Sequence, residues 1–323
     1  MVHAIRIHET GGPEVLRWEE TAVGEPGAGE ARIRHTAVGL NYIDIYQRSG
    51  LYKIPLPFTL GQEGAGVVEA IGPGVSEVAV GDRVAYAGPL GGYAEARVIK
   101  ADRLVKLPAG VTDQTGAAMM LQGMTTRYLI RKTFKVEKGQ TILLHAAAGG
   151  VGLMLSQWAK HLGATVIGTV STDEKAALAK AHGCDHPIVT SKTDWVAAVK
   201  EITGGKGVPV VYDSVGKDTY MGSLDSLSPL GLMVSFGQAS GAIPPMDITI
   251  LSAKGSLYLT RPTLGTYIAS RADLVETAND LFDVVAKGAV KINVNQTFAL
   301  KDAAEAHRAM AGRKTTGSTV LLP

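Results

Sequence analysis

The chain has one cysteine, Cys184, in 323 residues. A single thiol excludes an internal disulfide framework and any multi-cysteine metal site. No apolar run approaches the roughly 18 residues of a membrane-spanning helix. The opening MVHAIRIHETGGPEVL has no apolar signal-peptide core. Excess charge is also lacking: 32 basic and 30 acidic residues leave a formal net charge of +2, without a basic stripe. That balance argues against a nucleic-acid partner and against disorder. The expectation is a soluble cytoplasmic protein, long enough for two domains with cores of their own.

What is present centres on Thr141 to Ser171, TILLHAAAGGVGLMLSQWAKHLGATVIGTVS. An apolar run, Thr141 to Ala146, reads as a buried parallel strand. A glycine-rich turn follows, and then Val151, Met154, Leu155, Trp158, Ala159 and Leu162 fall on one helical stripe that Gly163 ends. A second strand, Ala164 to Val170, completes a βαβ unit. The turn is a G-x-G-x-x-G fingerprint with Ala147 in place of the first glycine. Gly149, Gly150, Val151 and Gly152 are the candidate pyrophosphate cradle, at the positive end of a helix dipole.

Before this stretch the chain shows short β-like runs (Ala4–His8, Ala31–Leu40, Gly64–Ile71, Arg83–Ala87) with glycine and proline between them. This suggests a barrel-like β domain, in which Gly61, Gly64 and Gly66 mark bends or close backbone approach. From Gln122 a helix leads into the nucleotide-binding strand. Helices and strands then alternate to Thr260, the rhythm of a doubly wound parallel sheet. The tail reads as a helix over 270–287, a run Val290–Asn293, a helix over 300–310 and a strand Ser318–Leu322. That last strand has no place in the nucleotide sheet and is assigned to the first domain. His145 reads as a packed or backbone-bonded histidine rather than a ligand. No serine–histidine–acid constellation stands out, which leaves a hydrolase without support.

Several motifs recur in order over nearly the whole chain: GGPEVL, NYIDIYQRSGLY, GQEGAGVVEAIGPGV, GDRV, HAAAGGVG and GRKTTGSTVLL. Together they resemble the medium-chain dehydrogenase/reductase superfamily, and within it the zinc-free quinone oxidoreductase branch, to which ζ-crystallin also belongs. The resemblance implies an α/β chain with a GroES-like, β-barrel-type catalytic domain (1–123), a Rossmann domain (124–262) and a return to the catalytic domain (263–323). A cofactor cleft between the domains is implied with it.

Zinc-dependent members place a cysteine near Asn41 and a histidine at Gln62. Glu63 alone remains here, and one carboxylate does not make a zinc site. Metal-free chemistry is therefore expected. Without a Lewis acid, an acceptor that delocalises its own negative charge is favoured, such as a quinone or an α,β-unsaturated carbonyl. The expected activity is NADPH:quinone oxidoreduction, with enone or activated-alkene reduction as the alternative. A non-catalytic crystallin or nucleic-acid-binding role is the remaining class.

Site expectations follow. By resemblance, Asn41 and Tyr46 approach nicotinamide and substrate, and Tyr52 lies near the pocket mouth. The open alternative is that Tyr42, Tyr46 and Tyr52 pack a core. Asp44 meets a cofactor ribose, caps a helix or joins a salt bridge. Thr125 matches the family threonine near the nicotinamide amide, with Tyr128 one turn on. Ser214, Val215, Phe236, Gly237, Gln238 and Ala239 follow carboxyl ends of predicted strands, where open α/β sheets bind ligands. Asp213 is expected to order its turn. Arg261, Pro262, Thr263 and Arg313 line the cofactor by resemblance.

The second strand ends in Ser171 and Thr172, where NAD-specific sheets carry an acid about 20 residues past the turn. That points to NADPH. Lys175 matches the family lysine for the 2′-phosphate, and Thr190 falls where relatives place a tyrosine. Ser171 with Glu174 also reads as a capping box, and Asp173 and Glu174 would repel a phosphate if turned inward. Relatives imply a homodimer, joined through the edge formed by Gly231–Phe236, Ala239–Ile250 and Ser256–Thr260.

Overall fold

The computed structural model describes residues 1–323, which divide into two compact units. The first comprises Met1–Met124, Ile268–Phe282 and Ile292–Pro323; the second comprises Thr125–Tyr267 and Asp283–Lys291. Residues 263–267 and 283–291, expected with the returning tail, group with the second unit. There the Tyr267 ring stacks on Tyr128 with centroids 4.3 Å apart. No helix is long and apolar enough to cross a membrane.

The first unit is built on strand Glu30–Leu40. Its burial alternates to Thr36, as a half-buried strand requires, and is complete from Ala37 to Leu40. It pairs antiparallel with Glu63–Ile71, with Ala96–Lys100 and with Ser318–Leu322. The final strand thus joins this unit, within a seven-stranded sheet. A Cβ at Gly66 would come within 2.0 Å of the Arg34 carbonyl oxygen, beside a register shift at His35. Close backbone approach is therefore the reason for that glycine. A second, three-stranded sheet sets Val2–Ile7 between Arg17–Thr21 and Phe58–Thr59. Ile5, Ile7, Leu40, Leu60 and Leu321 share a buried core with helix Ala303–Ala311. Each such side chain contributes roughly 1.5–3 kcal/mol.

Two sequence expectations shift here. The run Val290–Asn293 forms no regular element, and a strand, Val294–Ala299, follows it. That strand lies at the edge of its sheet, so its sequence is polar and hides the pattern. The helix expected from Gln122 begins at Asp113, runs to Tyr128 and continues as a π-helical stretch, Leu129–Thr133. Its buried Ala and Met residues leave no amphipathic period to read.

The second unit is a six-stranded parallel sheet. Its order is His186–Val189, Thr165–Val170, Thr141–Leu144, Val208–Asp213, Leu227–Ser235 and Tyr258–Thr260. Numbered along the chain this is 3-2-1-4-5-6, the doubly wound arrangement, which places the strands' carboxyl ends along one edge. Helix Gly150–His161 buries Leu153, Met154, Leu155, Trp158 and Ala159, and Gly163 ends it at a φ of 84°.

Candidate functional site

In the second unit the glycine-rich turn leaves the first strand through Ala146, at a φ of 55°. That left-handed conformation costs a non-glycine residue roughly 1–2 kcal/mol, so the surroundings must hold it. Gly149 caps helix Gly150–His161, and a glycine cap gives the first-turn N–H groups no side-chain acceptor. They are left to meet a phosphate. A Cβ at Gly152 would lie 2.3 Å from the Ala146 carbonyl oxygen, so only glycine lets the helix close on the turn. The missing first glycine is offset on the neighbouring strand. Ala147 is buried against Gly168, where a Cβ would approach the Ala147 methyl to 2.6 Å. The cradle fits a dinucleotide pyrophosphate.

At the end of the second strand, Ser171 is exposed and Thr172 caps helix Asp173–Ala181, its Oγ1 accepting from Lys175 N at 3.3 Å. The capping box imagined for Ser171 is therefore not formed. Asp173 is engaged by Lys192, which counters the charge expected to repel a phosphate. Lys175 lies half-buried in the first helical turn. Thr190 turns its hydroxyl back on the sheet, donating to Val170 O at 3.2 Å.

At the end of the fourth strand, Asp213 orders its turn as expected. Its Oδ1 accepts from Val215 N at 2.8 Å and Gly216 N at 2.9 Å. Ala239 N donates to Ser214 O and Ser240 N to Val215 O, so the loops carrying Ser214–Val215 and Phe236–Ala239 are stitched together. Gly237 is buried between them, while Phe236 and Gln238 are half-buried. Arg261 Nη1 donates to Ser235 O at 2.8 Å, with Pro262 buried and Thr263 exposed beyond it. Thr125 is buried, as is Tyr128, whose ring is taken up by the stack on Tyr267.

His145 is packed, as expected, edge-on to Trp195, and its side chain bonds to Thr169 and Ser223. One sequence reading is corrected in this unit. A serine, a histidine and an acid do come together, with Ser223 Oγ donating to Asp213 Oδ2 at 2.7 Å. The serine proton points at the acid, so the imidazole is not placed to remove it, and all three side chains are buried away from any substrate. This is no hydrolase centre.

In the first unit Asn41 is the N-cap of helix Tyr42–Arg48. Asp44 is fully buried, and its Oδ2 accepts from Asn41 N and from the Tyr93 hydroxyl, both at 2.9 Å. It closes the capping box of that helix, one of its open roles. Burial raises its pKa to about 7, against the pull of those two donors. The Asn41 amide is fixed on both sides: Nδ2 donates to Glu63 Oε2 at 2.7 Å and Oδ1 accepts from Gln122 Nε2 at 3.0 Å. Glu63 Oε1 accepts from Leu121 N at 2.7 Å, and burial pushes this carboxyl up to about 8.

The Tyr93 oxygen also meets His307 Nε2 at 3.2 Å, and Arg48 Nη1 donates to His307 Nδ1 at 3.1 Å. Burial holds that histidine far below its usual range, at about 3. Gln122, Tyr93 and His307 escaped the sequence reading because their partners are remote in the chain. Tyr42, Tyr46 and Tyr52 form one aromatic row, with centroids 6.1 and 5.3 Å apart. The Tyr42 hydroxyl donates to Met310 O at 3.2 Å. Arg313 is exposed just past helix Ala303–Ala311, and its charge partly opposes the burial-driven rise of the Tyr42 phenol.

One histidine spacing of the metal-binding kind exists, His182 and His186. The helix ends at Ala181 and His182 Nδ1 meets Leu178 O at 2.8 Å, while His186 opens a strand. No group of three His, Cys, Asp or Glu is arranged to hold a metal ion.

The strand order and the glycine turn define a dinucleotide-binding dehydrogenase, whose chain also carries a β-rich unit. Residues 150–283 match the zinc-binding dehydrogenase family, and residues 27–109 match the alcohol dehydrogenase GroES-like domain. A quinone oxidoreductase of Pseudomonas aeruginosa is 54% identical, with both chains covered in full. A 2-haloacrylate reductase of a Burkholderia species is 48% identical over 100% of this chain and 99% of that one. The crystal structure of Escherichia coli quinone oxidoreductase complexed with NADPH superposes with a TM-score of 0.98 at 48% identity, covering 99% and 100% of the chains. The chain belongs to the quinone oxidoreductase branch of the medium-chain dehydrogenase/reductase superfamily.

Proposed function

We propose that this protein is an NADPH-dependent quinone reductase that works without a metal. The observation that carries the reading is the cofactor edge of the parallel sheet. A glycine-capped helix N-terminus meets the pyrophosphate, and a second strand ending in Ser171 and Thr172, with Lys175 behind them, leaves room for a 2′-phosphate. When bound, NADPH supplies the hydride. The chain's own residues bind, orient and exclude water. Ser214, Val215 and Phe236–Ala239 form the wall at the fourth and fifth strand ends, where Arg261 is anchored. In the first unit Tyr46 and Tyr52 offer aromatic faces and phenol donors suited to a flat quinone carbonyl. Asn41, held by Glu63 and Gln122, offers a fixed amide where zinc-dependent relatives carry a metal ligand.

A second reading is reduction of an electron-poor alkene, favoured by the nearly equal identity of the 2-haloacrylate reductase. The deciding experiment follows NADPH absorbance with benzoquinone, naphthoquinone, an enone and a 2-haloacrylate, before and after exhaustive dialysis against a chelator. Quinone turnover that survives dialysis supports the proposal. Turnover of the alkenes alone selects the second reading, and activity lost together with stoichiometric zinc overturns the metal-free one. We propose the cytoplasm as its compartment. We also read the chain as a homodimer joined through the outer strand of the parallel sheet.

A further inference from the structure

His145 Nδ1 lies 2.8 Å from Thr169 Oγ1, and His145 Nε2 lies 2.9 Å from Ser223 Oγ. Ser223 Oγ donates to Asp213 Oδ2, while Asp213 Oδ1 holds the N–H groups of Val215 and Gly216. The directions of these bonds follow from one another. The Ser223 proton is committed to the carboxylate, so its oxygen must accept, and His145 Nε2 must carry the hydrogen. Nδ1 is then the acceptor, and Thr169 donates to it. Burial keeps the imidazole below its usual pKa, against the Asp213 charge, which fits one neutral tautomer. Trp195 packs edge-on to the imidazole with centroids 4.8 Å apart, fixing the ring plane.

The chain of bonds crosses three adjacent strands at their carboxyl ends. Thr169 stands two residues before Ser171, on the 2′-phosphate side. His145 directly precedes Ala146, the strained first residue of the pyrophosphate turn. Asp213 holds the turn that carries Ser214 and Val215, on the nicotinamide side. We infer that His145 and Ser223 are positioning residues for the cofactor, tying the three strand ends that meet adenosine, pyrophosphate and nicotinamide into one prearranged edge. The inference rests on the reading of this edge as the NADPH site. It goes beyond it by assigning a role to two side chains that touch no ligand.

The test uses the full chain and the variants His145→Leu, His145→Gln and Ser223→Ala. Equilibrium Kd values for NADPH and NADH are read by fluorescence titration. Amide exchange over 146–152 and 214–216 is read in the unliganded protein, and Tm alongside. Leu removes both ring nitrogens, whereas Gln retains an N–H directed at Ser223. Loss of one buried hydrogen bond corresponds to about tenfold in an equilibrium constant. His145→Leu and Ser223→Ala should therefore weaken both cofactors by about that factor and speed exchange in both segments, and His145→Gln should restore most of the loss. Nitrogen shifts of His145 should report the Nε2–H tautomer. If His145→Leu does not fold, Ser223→Ala against wild type carries the same comparison. Wild-type affinity in Ser223→Ala, or a fall in Tm with Kd and exchange unchanged, would overturn the inference while leaving the cofactor reading intact. A wild-type protein that binds neither cofactor would overturn both.

Discussion

Asn41 Nδ2 donates to Glu63 Oε2 at 2.7 Å, joining two buried side chains 22 residues apart. The same carboxyl takes the Leu121 N–H on its other oxygen. Each oxygen faces a donor, and an amide in their place offers only one acceptor. In Glu63→Gln one of the two donors must face an NH2. A buried donor left unsatisfied costs roughly 1–3 kcal/mol, and the unfolding midpoint in urea should fall accordingly. An unchanged midpoint would show that the contact does not matter.

Asp44 gives stability a pH dependence of definite sign. Its carboxyl titrates at about 7 in the folded chain against an ordinary value of 3.8. The folded state therefore holds this proton more tightly than the unfolded one. The resulting stabilisation is complete below pH 3.8 and is lost as pH rises through about 7. Glu63 acts in the same direction up to about 8. Asp44→Asn keeps an oxygen for Asn41 N and Tyr93 but cannot ionise. Between pH 5 and 8 its Tm should decline less than that of the wild type, and parallel profiles would contradict the assignment.

Lys175 is the residue on which the choice of NADPH over NADH is expected to turn. A charge-assisted phosphate contact contributes roughly 1.5–3 kcal/mol. Lys175→Ala should lower kcat/KM for NADPH by about one to two powers of ten while sparing NADH. Equal use of both cofactors by the wild type, or no change in the variant, sinks this reading. The contrast with His145 is informative, since changes there should weaken both cofactors alike.

The outer strand of the parallel sheet carries the assembly prediction. Tyr258–Thr260 pairs on one side only, and Tyr258, Leu259, Leu230 and Ile248 are exposed nearby in sequence or on the paired strand. An open apolar edge favours a twofold mate. Light scattering at micromolar concentration should give twice the monomer mass, and Leu259→Lys should shift it toward one chain. A wild-type monomer would end the proposal.

The nucleotide-binding unit was legible because its information is local. Strand, glycine turn, helix and second strand follow within Thr141–Val170, and their periods survive in the sequence. The first unit was less so. Val294–Ala299 is an edge strand with polar residues, and the contacts of Asn41 come from Glu63 and Gln122. Motif resemblance could mark Asn41; only the fold could show what holds it. The Ser223–His145–Asp213 chain was hidden for the same reason, its members being spaced over three elements with no motif between them.

The strand Ser318–Leu322 lies between Val294–Ala299 and Glu30–Leu40 in the sheet of the first unit. A ribosome delivers Glu30–Leu40 early and its neighbour last, after the whole parallel sheet has emerged. Domains generally mature as units during synthesis, so the nucleotide-binding half is free to fold while Val38–Leu40, at the end of that early strand, still lacks its partner. The sheet of the first unit is therefore completed by two distant parts of the chain, and its edge at Val38–Leu40 closes only when Ser318–Leu322 is in place.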